Sequence, residues 1–176
     1  MSLKLISTEV TPVTKKLAAR VRDMAALPSE RALKASRAQE HARLIAEEQF
    51  FSPLWGSCKL GGVEYRGNGN HTSNVITACM QVHNGGLDDK SKAFVDNFLL
   101  SRSSRWRKPE DLPEVKEGDF DVVYETYEAE SQQDLVVFFQ RFDSAKSARS
   151  NIDVLGVYIG EQDELRELNR DRVRYA

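Results

Sequence analysis

Tyr65-Arg66-Gly67-Asn68-Gly69-Asn70-His71-Thr72-Ser73-Asn74 is the stretch on which the reading of this chain turns. Glycine, asparagine, histidine and hydroxyl residues crowd there between an apolar run and a helical pattern. Upstream, Leu54-Trp55-Gly56-Ser57-Cys58-Lys59-Leu60 reads as a strand. Downstream, Val75, Ile76, Cys79 and Val82 fall at helical spacing. The polar cluster therefore marks a strand-to-helix junction. Glycine admits positive φ there, and the first N–H groups of a helix have no partner within the helix. Such a junction can hold a phosphate or another anion. It also fits a plain Gly/Asn turn capped by Asn70, and the local pattern leaves both readings open.

Working toward the N-terminus, Gly61-Gly62 joins residues 54–60 to a second short strand at 63–66, a hairpin signal. Ser36-Arg37-Ala38-Gln39 matches a capping box and predicts a helix carrying His41, Leu44 and Ile45 to about Glu48. Thr11-Pro12 predicts an earlier helix, with Thr11 as cap and Pro12 at its first position. Leu17, Val21 and Met24 share one face of it, and Leu27-Pro28-Ser29 ends it.

Toward the C-terminus, the junction helix stops near Asn84-Gly85-Gly86. Asp88 can cap a helix carrying Phe94, Phe98 and Leu99. Ser101-Arg102-Ser103-Ser104-Arg105-Trp106-Arg107-Lys108 and the prolines after it predict a surface loop, so residues 87–118 read as an insertion. Phe120–Tyr127 has strand composition, and Ser131 caps a helix with Leu135, Phe139 and Phe142 on one side. Residues 147–159 read as helix or strand, and 161–175 as a strongly charged helix.

The 176 residues suit one domain spanning 1–176. A net charge of −2 gives no global attraction to nucleic acid, so any basic site must be local. Cys58 and Cys79 lack metal-ligand spacing and read as buried thiols, and no structural zinc is expected. With no signal peptide and no apolar run of spanning length, a cytoplasmic protein without membrane insertion is expected.

The order of these parts, with Gly67-Asn68-Gly69-Asn70-His71-Thr72 opening a helix after a short hairpin, resembles the ParB/sulfiredoxin-like superfamily, especially its small phage- and plasmid-encoded members. The likeness covers about residues 8–85 and 119–155. It implies a compact α/β domain with a small mixed sheet flanked by helices, and a nucleotide- or phosphate-binding edge at the junction. Relatives include DNA-binding nucleotide hydrolases, sulfinic-acid reductases, reported nucleases and inhibitors of conjugation. The chain departs from the pattern at two positions. Asn70 stands where sulfiredoxins place a reactive Cys, and Thr72 where the family has Arg. A hydroxyl cannot make the bidentate phosphate contacts of a guanidinium, and Arg66 is the nearby substitute. The chain ends at Ala176, leaving no room for the helix-turn-helix domain of partition proteins, so operator recognition is not expected.

The candidate phosphate-binding residues are thus Arg66, Gly67, Asn68, Gly69, Asn70, Thr72 and Ser73. His71 and Glu64 are the candidate acid–base or catalytic groups, with Mg and ATP or another nucleotide as the implied cofactors. His41 reads as structural, and His83 as a cation at a helix end. Arg102, Arg105, Arg107 and Lys108 around an exposed Trp106 suggest a grip on single-stranded or non-specific DNA, or on an acidic protein. Arg141, Lys146 and Arg149 form a second basic set. Two classes of function follow. One is a mobile-element protein binding nucleotide or nucleic-acid phosphate, with ATPase or DNase activity or inhibition of conjugation as extensions. The other is a non-enzymatic interaction protein that kept the fold.

Overall fold

The computed structural model describes residues 2–28, 30–49 and 54–142. Its first element is a strand, β1 (Lys4–Pro12), not a helix opened by Thr11-Pro12. Thr11 and Pro12 lie opposite Val122 and Asp121 at the end of an antiparallel ladder. Proline is tolerated there because β1 is an edge strand. The cap falls instead to Thr14, whose Oγ1 accepts the Leu17 N–H at 3.1 Å and starts α1 (Lys15–Asp23). That helix ends at Met24, before Leu27-Pro28.

The next helix, α2 (Ala35–Arg43), runs into a π-helical turn, Leu44–Glu48, and stops where Gln49 turns left-handed. The Ser36 capping box does not form. Lys34 is the cap, without a side-chain bond, and Ser36 already lies inside the helix. A tertiary contact anchors this end: the Lys34 backbone N–H donates to His71 Nε2 at 2.9 Å.

The expected hairpin is present as β2 (Leu54–Leu60) and β3 (Val63–Asn68), turned by Gly61 and Gly62 at φ 58° and 81°. It leads into α3 (Asn70–Val82). Asp88 caps α4 (Asp89–Phe94), accepting the Ser91 N–H at 2.8 Å, and a π-helical turn, Val95–Leu99, follows. After a 3₁₀ turn at Pro109–Asp111 come β4 (Asp121–Glu128) and α5 (Gln132–Arg141), the latter capped by Ser131 as its sequence predicts. The segments read at 147–159 and 161–175, with Lys146 and Arg149, lie outside the described residues.

The four strands form one mixed sheet in the order β1-β4-β2-β3. β2 runs parallel to β4, and the other two pairings are antiparallel. Alternation along β4 sends Val122 and Tyr124 to one face and Val123 and Tyr127 to the other. The first face packs against α1 to α4 through Val21, Ala38, Ile76 and Phe94. The second packs on α5 through Leu135, Phe138 and Phe142. Within residues 87–118 the helix capped by Asp88 is present, but the stretch that follows it is not all on the surface. Phe94, Val95, Leu99, Trp106, Leu112 and Val115 are buried in the first core. No helix among the described residues is long and apolar enough to cross a membrane.

Candidate functional site at the start of α3

The glycines of the junction answer first to packing. Gly69 sits at φ 99° as the cap of α3, taking the position expected of Asn70. A Cβ there would lie 2.6 Å from the Trp55 ring, so both the dihedral and the space require glycine. A Cβ on Gly67 would meet the Phe138 ring at 2.5 Å. The polar side chains are likewise committed. Trp55 Nε1 donates to Thr72 Oγ1 at 3.0 Å. Asn68 Nδ2 donates to the Leu54 carbonyl at 2.9 Å. Asn74 Nδ2 and Ser73 Oγ donate to the Asn70 carbonyl, at 2.7 and 3.4 Å. Thr72 and Ser73 are buried. Thr72 thus ties the helix start to a core tryptophan.

Arg66 points inward and is not free to meet a phosphate. Its Nη1 donates to the carbonyls of Val21, Arg22 and Met24 at 2.9, 2.9 and 3.3 Å. Its Nη2 pairs with the Glu30 carboxylate. The guanidinium therefore satisfies the open C-terminal carbonyls of α1, where a cation also meets the helix dipole. Glu64 is held by Arg20 through two bonds of 3.1 and 2.8 Å. His71 is engaged elsewhere, with Lys34, so these two candidate catalytic groups do not form a pair.

His71 is buried at the first turn of α3. Its Nε2 accepts from Lys34, which leaves the ring proton on Nδ1 in the neutral form. The ring centroid is 6.3 Å from that of His41. Burial is the main cause holding the His71 pKa down, to about 4, and His41, Arg37, Lys34 and Arg31 push the same way. The imidazole is therefore neutral at pH 7. Its Nε2 lone pair is already used, so this nitrogen is not a free general base.

Those same neighbours identify the residues that sequence reading missed. Arg31, Lys34 and Arg37 are exposed, and none forms an ion pair among the described residues. The Lys34 bond to His71 and a 3.4 Å bond from Asn70 Nδ2 to the Arg31 carbonyl lay this segment across the start of α3. The only trace in the sequence is Arg31-Ala32-Leu33-Lys34-Ala35-Ser36-Arg37, with a cation at every third residue. Nothing there says that the segment meets a helix some forty positions later.

The basic loop divides. Trp106 is buried, at 5 % exposure, rather than exposed. Its backbone N–H donates to Ser104 Oγ at 3.0 Å, and that hydroxyl donates to the Leu99 carbonyl at 2.7 Å. A base cannot stack on a ring so enclosed. The Arg105 guanidinium lies 4.7 Å from the Trp106 ring centroid and pairs with Glu47. Arg102, Arg107 and Lys108 remain exposed, with no ion pair among the described residues. Arg141 bonds at 3.0 Å to Glu125, whose carboxylate is fully buried and also accepts from the Tyr127 hydroxyl at 2.9 Å. Among the described residues no three His, Cys, Asp or Glu side chains group as metal ligands. No protein-family model, curated protein or solved structure matches the chain.

Proposed function

We propose that this protein binds the phosphate of a nucleotide or nucleic acid on the surface where Arg31, Lys34 and Arg37 meet the first turn of α3. One observation carries this reading: three exposed cations without ion-pair partners among the described residues converge on the N-terminal end of a thirteen-residue helix. A helix N-terminus favours anions, and cations that are not neutralised by the protein keep their field for a ligand. Gly67–Thr72, whose pattern resembles the ParB/sulfiredoxin junction, then acts as the scaffold. The 31–37 cations take the part played in that family by the Arg after His. Magnesium enters with a nucleotide ligand. The reading assigns binding rather than hydrolysis to the site, because His71 Nε2 is engaged and Glu64 is paired with Arg20.

The test is titration with inorganic phosphate, ADP, ATP, and short single-stranded and duplex DNA, with and without magnesium. A variant carrying Arg31→Ala, Lys34→Ala and Arg37→Ala should bind at least about tenfold more weakly, or about 1.4 kcal/mol. For DNA, the variant should also show a flatter dependence on salt, because fewer phosphates are neutralised. Equal affinity in variant and wild type overturns the site. A wild type that binds none of these ligands at low salt leaves the interaction-protein reading in its place.

A further inference from the structure

The two edges of the sheet are finished differently. At β3, Ala25 covers the outer side of Tyr65: Ala25 N–H donates to the Glu64 carbonyl at 3.0 Å, and Arg66 N–H donates to the Ala25 carbonyl at 2.9 Å. At β1 no backbone bond among the described residues reaches the outer side, and the strand runs nine residues. Leu5 and Ile6 are 48 % and 47 % exposed on it. A strand edge of that length, left unpaired by the described residues, is a template for another strand.

The charges on this edge choose the partner. Lys4 and Glu9 are both exposed, and neither has an ion-pair partner among the described residues. Five residues apart, they would point to opposite faces of a regular strand. A bulge between Leu5 and Ser7 changes that: Lys4 lies opposite Glu128 and Glu9 opposite Tyr124, so both fall on the same face. The bulge also makes the strand symmetric about itself. Lys4 and Leu5 precede it as Thr8 and Glu9 follow it, counting Ile6 and Ser7 as one ladder position. A two-fold axis through the bulge therefore sets Lys4 of each copy opposite Glu9 of the other, with Leu5 opposite Thr8. Bulges often blunt an edge; this one brings the edge into register with itself.

We propose that β1 is a self-association edge, on which two copies of the chain pair antiparallel about that axis and continue one sheet through both. The interface is isologous, and each copy supplies the cation for one ion pair and the anion for the other. It is independent of the phosphate surface.

Light scattering on size-separated full chain, over a concentration series, tests this. Wild type should show a dimer. Lys4→Glu and Glu9→Lys should each be monomeric, because each places like charges opposite one another twice. Mixing the two monomeric variants should restore the dimer, since position 4 of each copy then faces the opposite charge at position 9 of the other. The Lys4→Glu/Glu9→Lys double variant should dimerise alone. Circular dichroism checks that each variant is folded. A monomeric wild type at the highest concentration overturns the proposal. So does a dimer indifferent to either charge reversal, or a pair of variants that stay apart when mixed.

Discussion

Residues 66–74 and residues 31–37 form opposite kinds of polar surface, although they touch. In the first, nearly every group that invites a functional role is consumed by the fold. Arg66 closes α1, Thr72 holds Trp55, and His71 receives the Lys34 N–H. In the second, the backbone does the structural work and the charged ends of Arg31, Lys34 and Arg37 stay in solvent. Burial separates the two. A buried polar group must be hydrogen-bonded or it costs stability, so interior polar clusters are committed first to their own satisfaction. An exposed, unpaired cation carries no such obligation and remains available to a ligand.

This contrast predicts graded effects. The largest belongs to Trp106, because it is core: Trp106→Ala should lower unfolding free energy by about 3–5 kcal/mol in chemical denaturation. A variant of unchanged stability that loses affinity for single-stranded DNA alone would return Trp106 to the class of ligand contacts. Gly69→Ala should cost about 2–4 kcal/mol, from backbone strain at positive φ and overpacking against Trp55. A neutral result would mean that the junction is looser than its geometry and could move to admit a ligand.

His71 gives a third, pH-dependent effect. Its folded pKa, about 4, lies below the ordinary 6.5. Between those values the unfolded chain binds a proton that the folded chain refuses. The stability held by neutral His71 is therefore complete above about pH 6.5 and is lost as pH falls toward 4, by up to ~1.4 kcal/mol per pH unit. Denaturant midpoints for wild type and His71→Gln between pH 4 and 7 should converge as pH falls. Parallel curves would show that the ring is not held neutral by burial. The smallest effect is that of replacing Arg31, Lys34 and Arg37 with Ala together. Stability should move by no more than about 0.5 kcal/mol per position, as for ordinary surface changes, while phosphate affinity falls. A large loss of stability would place these cations with the committed groups and end the contrast.

How much could be read from the chain follows the same division. The hairpin at Gly61-Gly62, the start of a helix after Gly69, and the Asp88 and Ser131 caps were legible because each depends on neighbours within a few residues, and β4 because its run of β-branched and aromatic residues is dense. β1 was not. Its pattern Lys4-Leu5-Ile6-Ser7-Thr8-Glu9-Val10 is half exposed, and its strand state comes from pairing with residues more than a hundred positions away. Trp106 was misread for a related reason: four cations around it suggested solvent, while Ser104 and the Leu99 carbonyl turn the ring into the core.

The sequence by itself determined where the glycines and the Asp88 and Ser131 caps fall, and with them an α/β chain with a sharp strand-to-helix junction at Gly67–Asn70. Those features rest on local dihedral freedom and on hydrogen bonds spanning three or four residues. Only the tertiary structure decided which polar residues are spent and which are free. A side chain's partners are set by what packs beside it: the end of α1 claimed Arg66, and the start of α2 claimed His71. Arg31, Lys34 and Arg37, left in water beside that same helix, keep charges that no described residue neutralises.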